Sequence, residues 1–351
     1  MEKQREKLYQ IRNFGDKFSV TIEFINQTWK PLVRISLYLL LPFVIIQSAG
    51  QYGFFDINMR NIGMNNSFDT NYAVSIVLMV LGALPLWVLT LSLVYGMMSD
   101  YFSGGDLQNI TVSSLWPRLR QNVRRGLFII LVGIALAIIL TGVVVLLFVM
   151  FNSVVFGSFL AIALYVAVIP ALSLWPAAYL LNDDADVFGS LLDALQYGFK
   201  TWGSLFLLVL VMGIIVNAVS SLVSLPAIAF FVVKAIFFPG MMVGNTAGGI
   251  GISLLGFLLL VAGNFFSVLA YVFLLVGVGF HYGSAVERID NVSIKEDINN
   301  FDRLAGNGSG AAADDYFANG EYEGGSEKLS YRGGTDGDDI KRSDIDDFDK
   351  L

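Results

Sequence analysis

Cysteine is absent from all 351 residues, and histidine occurs once, at position 281. The first absence excludes disulfides, thiolate metal sites and thiol nucleophiles together. The second excludes a histidine cluster of the kind that holds a metal or relays protons. Charge is scarce too: 15% of the residues are charged and 55% are hydrophobic, with a mean hydropathy of +0.66. A water-soluble domain cannot hide that much apolar surface, so a membrane class is expected. The net charge of -7 comes mainly from the C-terminal tail.

What the chain has is long apolar runs. A helix needs about 20 apolar residues to cross a bilayer, and six runs meet that length: 32–50, 73–98, 127–151, 154–181, 204–233 and 254–280. The fifth is long for a straight crossing, and Pro226 is expected to kink or split it. Only Asn152 and Ser153 separate the third run from the fourth, which implies a tight hairpin. The late start of the first run and the poor cleavage site "QSAG" favour an uncleaved span over a signal peptide.

Orientation follows from Lys and Arg in the connections. Lys3, Arg5, Lys7, Arg12, Lys17 and Lys30 precede the first run, and Arg118, Arg120, Arg124 and Arg125 lie between the second and third. The opposite side offers Arg60 and Lys234. Both termini are therefore expected in the cytoplasm. Arg34 and Lys234, near span ends, are expected to snorkel to the headgroups.

Three stretches with an apolar edge precede spans. "DVFGSLLDALQYGFKTW" places Phe188, Leu191 or Leu192, Leu195, Phe199 and Trp202 at spacings of three and four, with Asp184 or Asp186 as N-cap. The N-terminal stretch gives Phe14, Phe18, Ile22, Ile25 and Trp29; "SSLWPRLRQNVRRGLF" gives Leu115, Leu119, Val123 and Leu127, with arginines opposite. Each is expected as a helix in the membrane interface. Trp29, Trp116 and Trp202, with Arg118, Arg120, Arg124 and Arg125, are the candidate interfacial anchors. The fold expected is an all-α integral membrane protein, its six transmembrane helices forming three repeats of interfacial amphipathic helix plus helical hairpin.

"DDADVFGSLLDALQYGFKTWGSLF" resembles a segment of membrane proteins related to the glycerophosphoryl diester phosphodiesterase membrane-domain family. Asp184, Ser190, Ala194, Leu195 and Trp202 carry the likeness. "FGDKFSVTIEFINQTWKPLVRISLYLLLPF" is similar to the N-termini of six-span integral membrane proteins of Bacteroidetes type. The resemblance spans about residues 11–300 in architecture and implies a bacterial cytoplasmic (inner) membrane. The chain's soluble parts are short or low in complexity, so the family name implies no phosphodiesterase catalysis here.

Little chemistry is written into the spans. The second, third, fourth and sixth runs carry no Asp, Glu, Lys or Arg in their interiors, which speaks against a charged relay. Asn217, Ser221 and Asn264 are the candidate polar intramembrane residues, with Gln47, Asn152 and Ser220 beside them; they could line a path or bond between helices. Asp183, Asp184 and Asp186 lack the spacing of a calcium loop and suit capping. His281 is expected to be an interfacial anchor. "GNTAGGIG" suits a reentrant turn better than a nucleotide loop, and Gly279 and Gly283 make a small-xxx-small pair. No catalytic, cofactor-binding or metal-ligating residue is named, and no cofactor is expected.

The expected organisation is 1–31, a cytoplasmic N-terminus with interfacial helix; 32–285, the six-helix domain; 286–305, an exit helix; and 306–351, a disordered acidic cytoplasmic tail. The leading functional expectation is a non-enzymatic scaffold, assembly or lipid-organising module. Its partners would be membrane lipids and a protein docked on the tail, with no nucleic acid. The alternatives are a transporter or channel for a neutral or amphipathic solute, and a lipid-acting enzyme using Asp100, Asp183, Asp184 and His281.

Overall fold

The structure is a computed structural model, and it describes residues 7–60, 70–105, 110–151, 153–237, 247–294 and 298. The chain divides into two units, Met1–Glu296 and Asp297–Leu351. The expected disordered tail at 306–351, and half of the expected exit helix (295–297 and 299–305), lie outside the described residues. Asn291, at φ 50, ends the last long helix, and residues 292–294 are helical again.

All regular structure among the described residues is helical: α1 Phe14–Leu39, α2 Leu41–Arg60, α3 Thr70–Phe102, α4 Val112–Phe151, α5 Val154–Ser173, α6 Trp175–Leu180, α7 Val187–Lys200, α8 Trp202–Phe237 and α9 Ala247–Asp290. Five segments are long and apolar enough to cross a membrane: α3, α4, α5 with α6, α8 and α9. α1 and α2 meet at a 60° bend around Leu40 and make a sixth only if the bent pair is counted as one span.

The helices pair as antiparallel neighbours in sequence, α2 on α3 and α8 on α9 most extensively, with α9 also against α1 and α2. One end of the bundle, here called proximal, gathers α1, α7, the start of α4 and the ends of α3 and α9. The other, distal, end holds the end of α2 and the α4–α5 turn. Glycine permits the closest α2–α3 approach. A Cβ on Gly50 would lie 2.6 Å from the Ser75 carbonyl oxygen, and one on Gly82 would meet the backbone of Gln47.

The core is densest at the proximal end. Tyr95, Met97 and Met98 of α3 and Phe280 of α9 are fully buried. Phe24 meets Tyr101 and Phe280 edge-on, with ring centroids 5.3 and 6.1 Å apart, and Phe102 closes on Phe280 at 5.8 Å. A smaller distal cluster joins Ala227, Phe231 and Leu260. By contrast, the distal half of α4 and the start of α5 leave Leu131, Ile138, Val149, Val155 and Phe159 exposed. So much uncovered aliphatic surface is stable only in a nonaqueous surrounding.

The three stretches expected at the interface take three different forms. The first is continuous with the start of the apolar run, because the break falls at Leu40 and not near residue 31. The second runs unbroken into its span within α4. The third is the separate helix α7, capped by Asp186, whose carboxylate accepts from the Phe188 and Gly189 N–H groups at 3.2 and 3.4 Å. Pro226 does not split the fifth span, since α8 is continuous from Trp202 to Phe237. At ~1.5 Å per residue this helix outreaches a hydrocarbon core of about 30 Å.

Candidate functional site

Two polar constellations lie inside the bundle, and the proximal one surrounds the single histidine. His281 is fully buried. Its Nδ1 lies 3.1 Å from Lys17 Nζ, and its Nε2 lies 3.0 Å from Thr201 Oγ1. A lysine ammonium only donates, so Nδ1 must accept and the ring carries its proton on Nε2. That proton goes to Thr201, whose hydroxyl donates in turn to the Tyr197 carbonyl at 2.8 Å. Lys17 also donates to Ser204 Oγ at 3.3 Å. The run ties α1, α9, the end of α7 and the start of α8 through bonds that all point one way.

Around it, the Arg12 backbone N–H donates to Ser284 Oγ at 3.1 Å. The Arg12 guanidinium donates to the Leu8 and Lys7 carbonyls and to Gln10, and lies 5.3 Å from the Phe280 ring centre. On the α7 side, the Tyr197 hydroxyl donates to Asp290. Burial, then that bond to Asp290, hold the Tyr197 hydroxyl above its ordinary pKa. Burial, then the neighbouring Asp290 charge, raise Asp193.

The second constellation is a pocket of about 170 Å³ between α2, α3 and α9, near the middle of the latter two helices. Gln47, Thr90, Asn264, Ser267 and Tyr271 supply its polar groups, and Trp87 stands edge-on to Tyr271 with centroids 5.5 Å apart. Asn264 Nδ2 donates to Ser48 Oγ at 2.8 Å and to Gln51 Oε1 at 2.7 Å. Distal to it, Lys234 pairs with Asp56 at 3.0 Å and donates to the Tyr52 hydroxyl at 2.8 Å.

The expected site residues separate by environment. Trp29 and Trp116 are about half exposed, and Arg120 and Arg124 are exposed. Trp202 instead donates from Nε1 to the Ala167 carbonyl at 3.1 Å, bolting α8 to α5. Arg125 is buried against the loop after α6, contrary to an anchor's exposure. It donates to the Asn182 and Ala185 carbonyls at 2.8 and 3.0 Å and lies 4.2 Å from the Tyr179 ring centre. Arg118 reaches Asp183 from the same helix at 3.4 Å.

Of the intramembrane candidates, Asn264 and Gln47 line the pocket. Asn217 and Ser221 are exposed on the outside of α8, and Asn217 donates back to the Gly213 carbonyl of its own helix. Ser220 Oγ is buried without a partner. Asn152 and residues 244–246 of the glycine-rich stretch lie outside the described residues, while Ala247–Gly251 opens α9.

Two further expectations are corrected. Lys234 does not snorkel: it is 3% exposed, because Asp56 and Tyr52 satisfy it inside the protein. His281 is an internal node and not an interfacial anchor, because Lys17 and Thr201 flank both ring nitrogens. Sequence reading passed over Lys17 and Thr201 as partners. The spacing of Lys17, Thr21, Phe24 and Thr28 on one helical face was the available signal.

Among the described residues, no three His, Asp or Glu side chains gather as a metal site would require. Set against family models, curated proteins and solved structures, the chain has no match in any of the three comparisons.

Proposed function

We propose that this chain is a non-enzymatic integral membrane protein that organises lipid, or a complex assembled on lipid, at one membrane face. In this reading its three units of interfacial stretch plus hairpin derive from a repeat. The proximal end faces the cytoplasm of a bacterial inner membrane, and the resemblance to the phosphodiesterase membrane-domain family is one of architecture.

The observation that supports it is the outward dressing of the proximal end. Ile22, Trp29, Trp116, Phe188, Leu192 and Phe199 are exposed there, and so are Arg34, Arg120 and Arg124. Large apolar side chains beside arginines suit the acyl boundary and anionic headgroups together. Catalysis is disfavoured because both nitrogens of the histidine, the Lys17 amine and the Thr201 hydroxyl are engaged with one another or with Ser204 and the backbone.

Native mass spectrometry of the protein ejected from membranes of mixed anionic and zwitterionic lipid tests this. Anionic lipid should be retained selectively, and replacing Arg120 and Arg124 by Gln should remove the selectivity. Indifference to lipid charge in the unaltered protein would end the proposal. The mid-bundle pocket favours a second reading, a carrier for a neutral solute. Solute flux through reconstituted vesicles would support it over the first.

A further inference from the structure

The pocket between α2, α3 and α9 has hydrogen-bonding groups left unspent by the protein. Gln47 Oε1 is buried and has no partner. Asn264 places its amide nitrogen against Ser48 Oγ and Gln51 Oε1, so its carbonyl oxygen is the group left over. The Thr90 hydroxyl gives its proton to the Leu86 carbonyl at 2.7 Å and keeps only lone pairs to offer. The Ser267 and Tyr271 hydroxyls and the Gln47 amide nitrogen add donors to these acceptors, so the lining calls for a group that both donates and accepts. None of the residues lining the pocket is charged, and a cation at that depth would lack the compensating charge that makes its burial tolerable.

From these groups we infer that the pocket binds a neutral hydroxyl donor, the head of a membrane-dissolved alcohol or a small polyol from water. A ligand with hydroxyls answers Gln47, Asn264 and Thr90 at once. An ester or ether, which only accepts, leaves the Asn264 carbonyl oxygen and the Thr90 lone pairs without a donor. The volume of about 170 Å³ equals roughly six waters at about 30 Å³ each, which admits a head and excludes a whole lipid. Trp87 is 45% exposed at the rim, so an alkyl chain has a way out to the surrounding hydrocarbon. The inference rests on this pocket and not on the scaffold reading.

Thermal unfolding of the full chain in nanodiscs tests it with three probes: dodecan-1-ol, its methyl ether and glycerol. Dodecan-1-ol should raise the midpoint by several degrees and the ether should not. A shift by glycerol alone would assign the site to a water-borne polyol and keep the hydroxyl donor. Gln47→Leu should abolish the shift while leaving the probe-free midpoint unchanged or higher, since it removes an orphaned acceptor. Thr90→Val, close to isosteric, serves if the first variant fails to fold and should weaken the shift. Equal shifts by alcohol and ether, a shift that survives Gln47→Leu, or no shift with either hydroxyl probe would overturn the assignment.

Discussion

His281, Lys17 and Thr201 are bound in a single direction of proton donation, so removing one member strands the others. His281→Leu leaves a buried lysine amine with Ser204 as its one remaining polar partner of those it has here. Losing a hydrogen bond to a buried charged group costs about 1.5–3 kcal/mol. The melting temperature should fall accordingly, and Lys17→Met in the same background should restore part of the loss. A double-mutant cycle on the two sites measures the coupling; strict additivity would show that the two residues do not act together. Arg125 is a second residue of this kind. Arg125→Met frees the Asn182 and Ala185 carbonyls, and limited proteolysis should then cut the loop after α6 faster.

Asp193 gives a pH signature at the same scale. Its pKa is raised by burial and then by Asp290, so in the folded protein the ionised form is disfavoured. An acid with a raised folded pKa contributes stability below its unfolded value and loses it as pH rises through the folded value. Acidification through the carboxylate range should therefore tighten α7 against α9. Asp193→Asn should stabilise the protein at neutral pH and flatten this part of the dependence, as read from melting temperatures across that range.

At the scale of elements, α7 shows how an amphipathic helix chooses its faces. Ser190, Leu191, Ala194 and Gly198 face inward, while Phe188, Leu192 and Phe199 face out. The inner face is mostly small because α5 is close: a Cβ on Gly198 would lie 2.6 Å from Ala171 Cα. Gly198→Val should wedge α7 from α5 and cost about 1–3 kcal/mol, read as faster hydrogen exchange confined to 187–200. Unchanged exchange there would mean that α7 is held elsewhere. In α1 the inward face holds Lys17, Thr21 and Thr28 with Val20 and Phe24. The threonines bury at little cost by donating to the Lys17 and Phe24 carbonyls at 2.7 Å each.

At the scale of the whole molecule, the tight proximal core contrasts with the loose distal half of α4 and α5. A protein in water would collapse that exposed hairpin; in lipid it has no reason to close, because tails are as apolar as leucine. The lack of native cysteine permits a direct test of the proposed orientation. Single cysteines at Asn13 and at Ser153 lie at opposite ends of the bundle, so a membrane-impermeant maleimide applied to intact cells should label the second and spare the first. The reverse pattern would invert the topology.

Hydropathy alone determined that the chain is helical and apolar enough for a membrane, and it located the five helices long and apolar enough to cross one, because a run of about 20 apolar residues has few other fates. The cap of α7 was legible as Asp184 or Asp186, since the need for an acceptor at a helix start is local, and the structure assigns it to Asp186. Pairing was not. The burial of Lys17, Lys234, Arg125 and His281 depends on partners between 57 and 264 residues away in the chain. Span length likewise foretold neither the bend at Leu40 nor the continuity of α8 through Pro226. Among the polar candidates, Asn264 reached the pocket and Asn217 did not, because the packing of α9 on α2 and of α8 on α9 decides which faces turn inward. Hydrophobic burial in lipid is a property of a segment, whereas satisfaction of a polar group is a property of a neighbourhood, and only the tertiary structure supplies that.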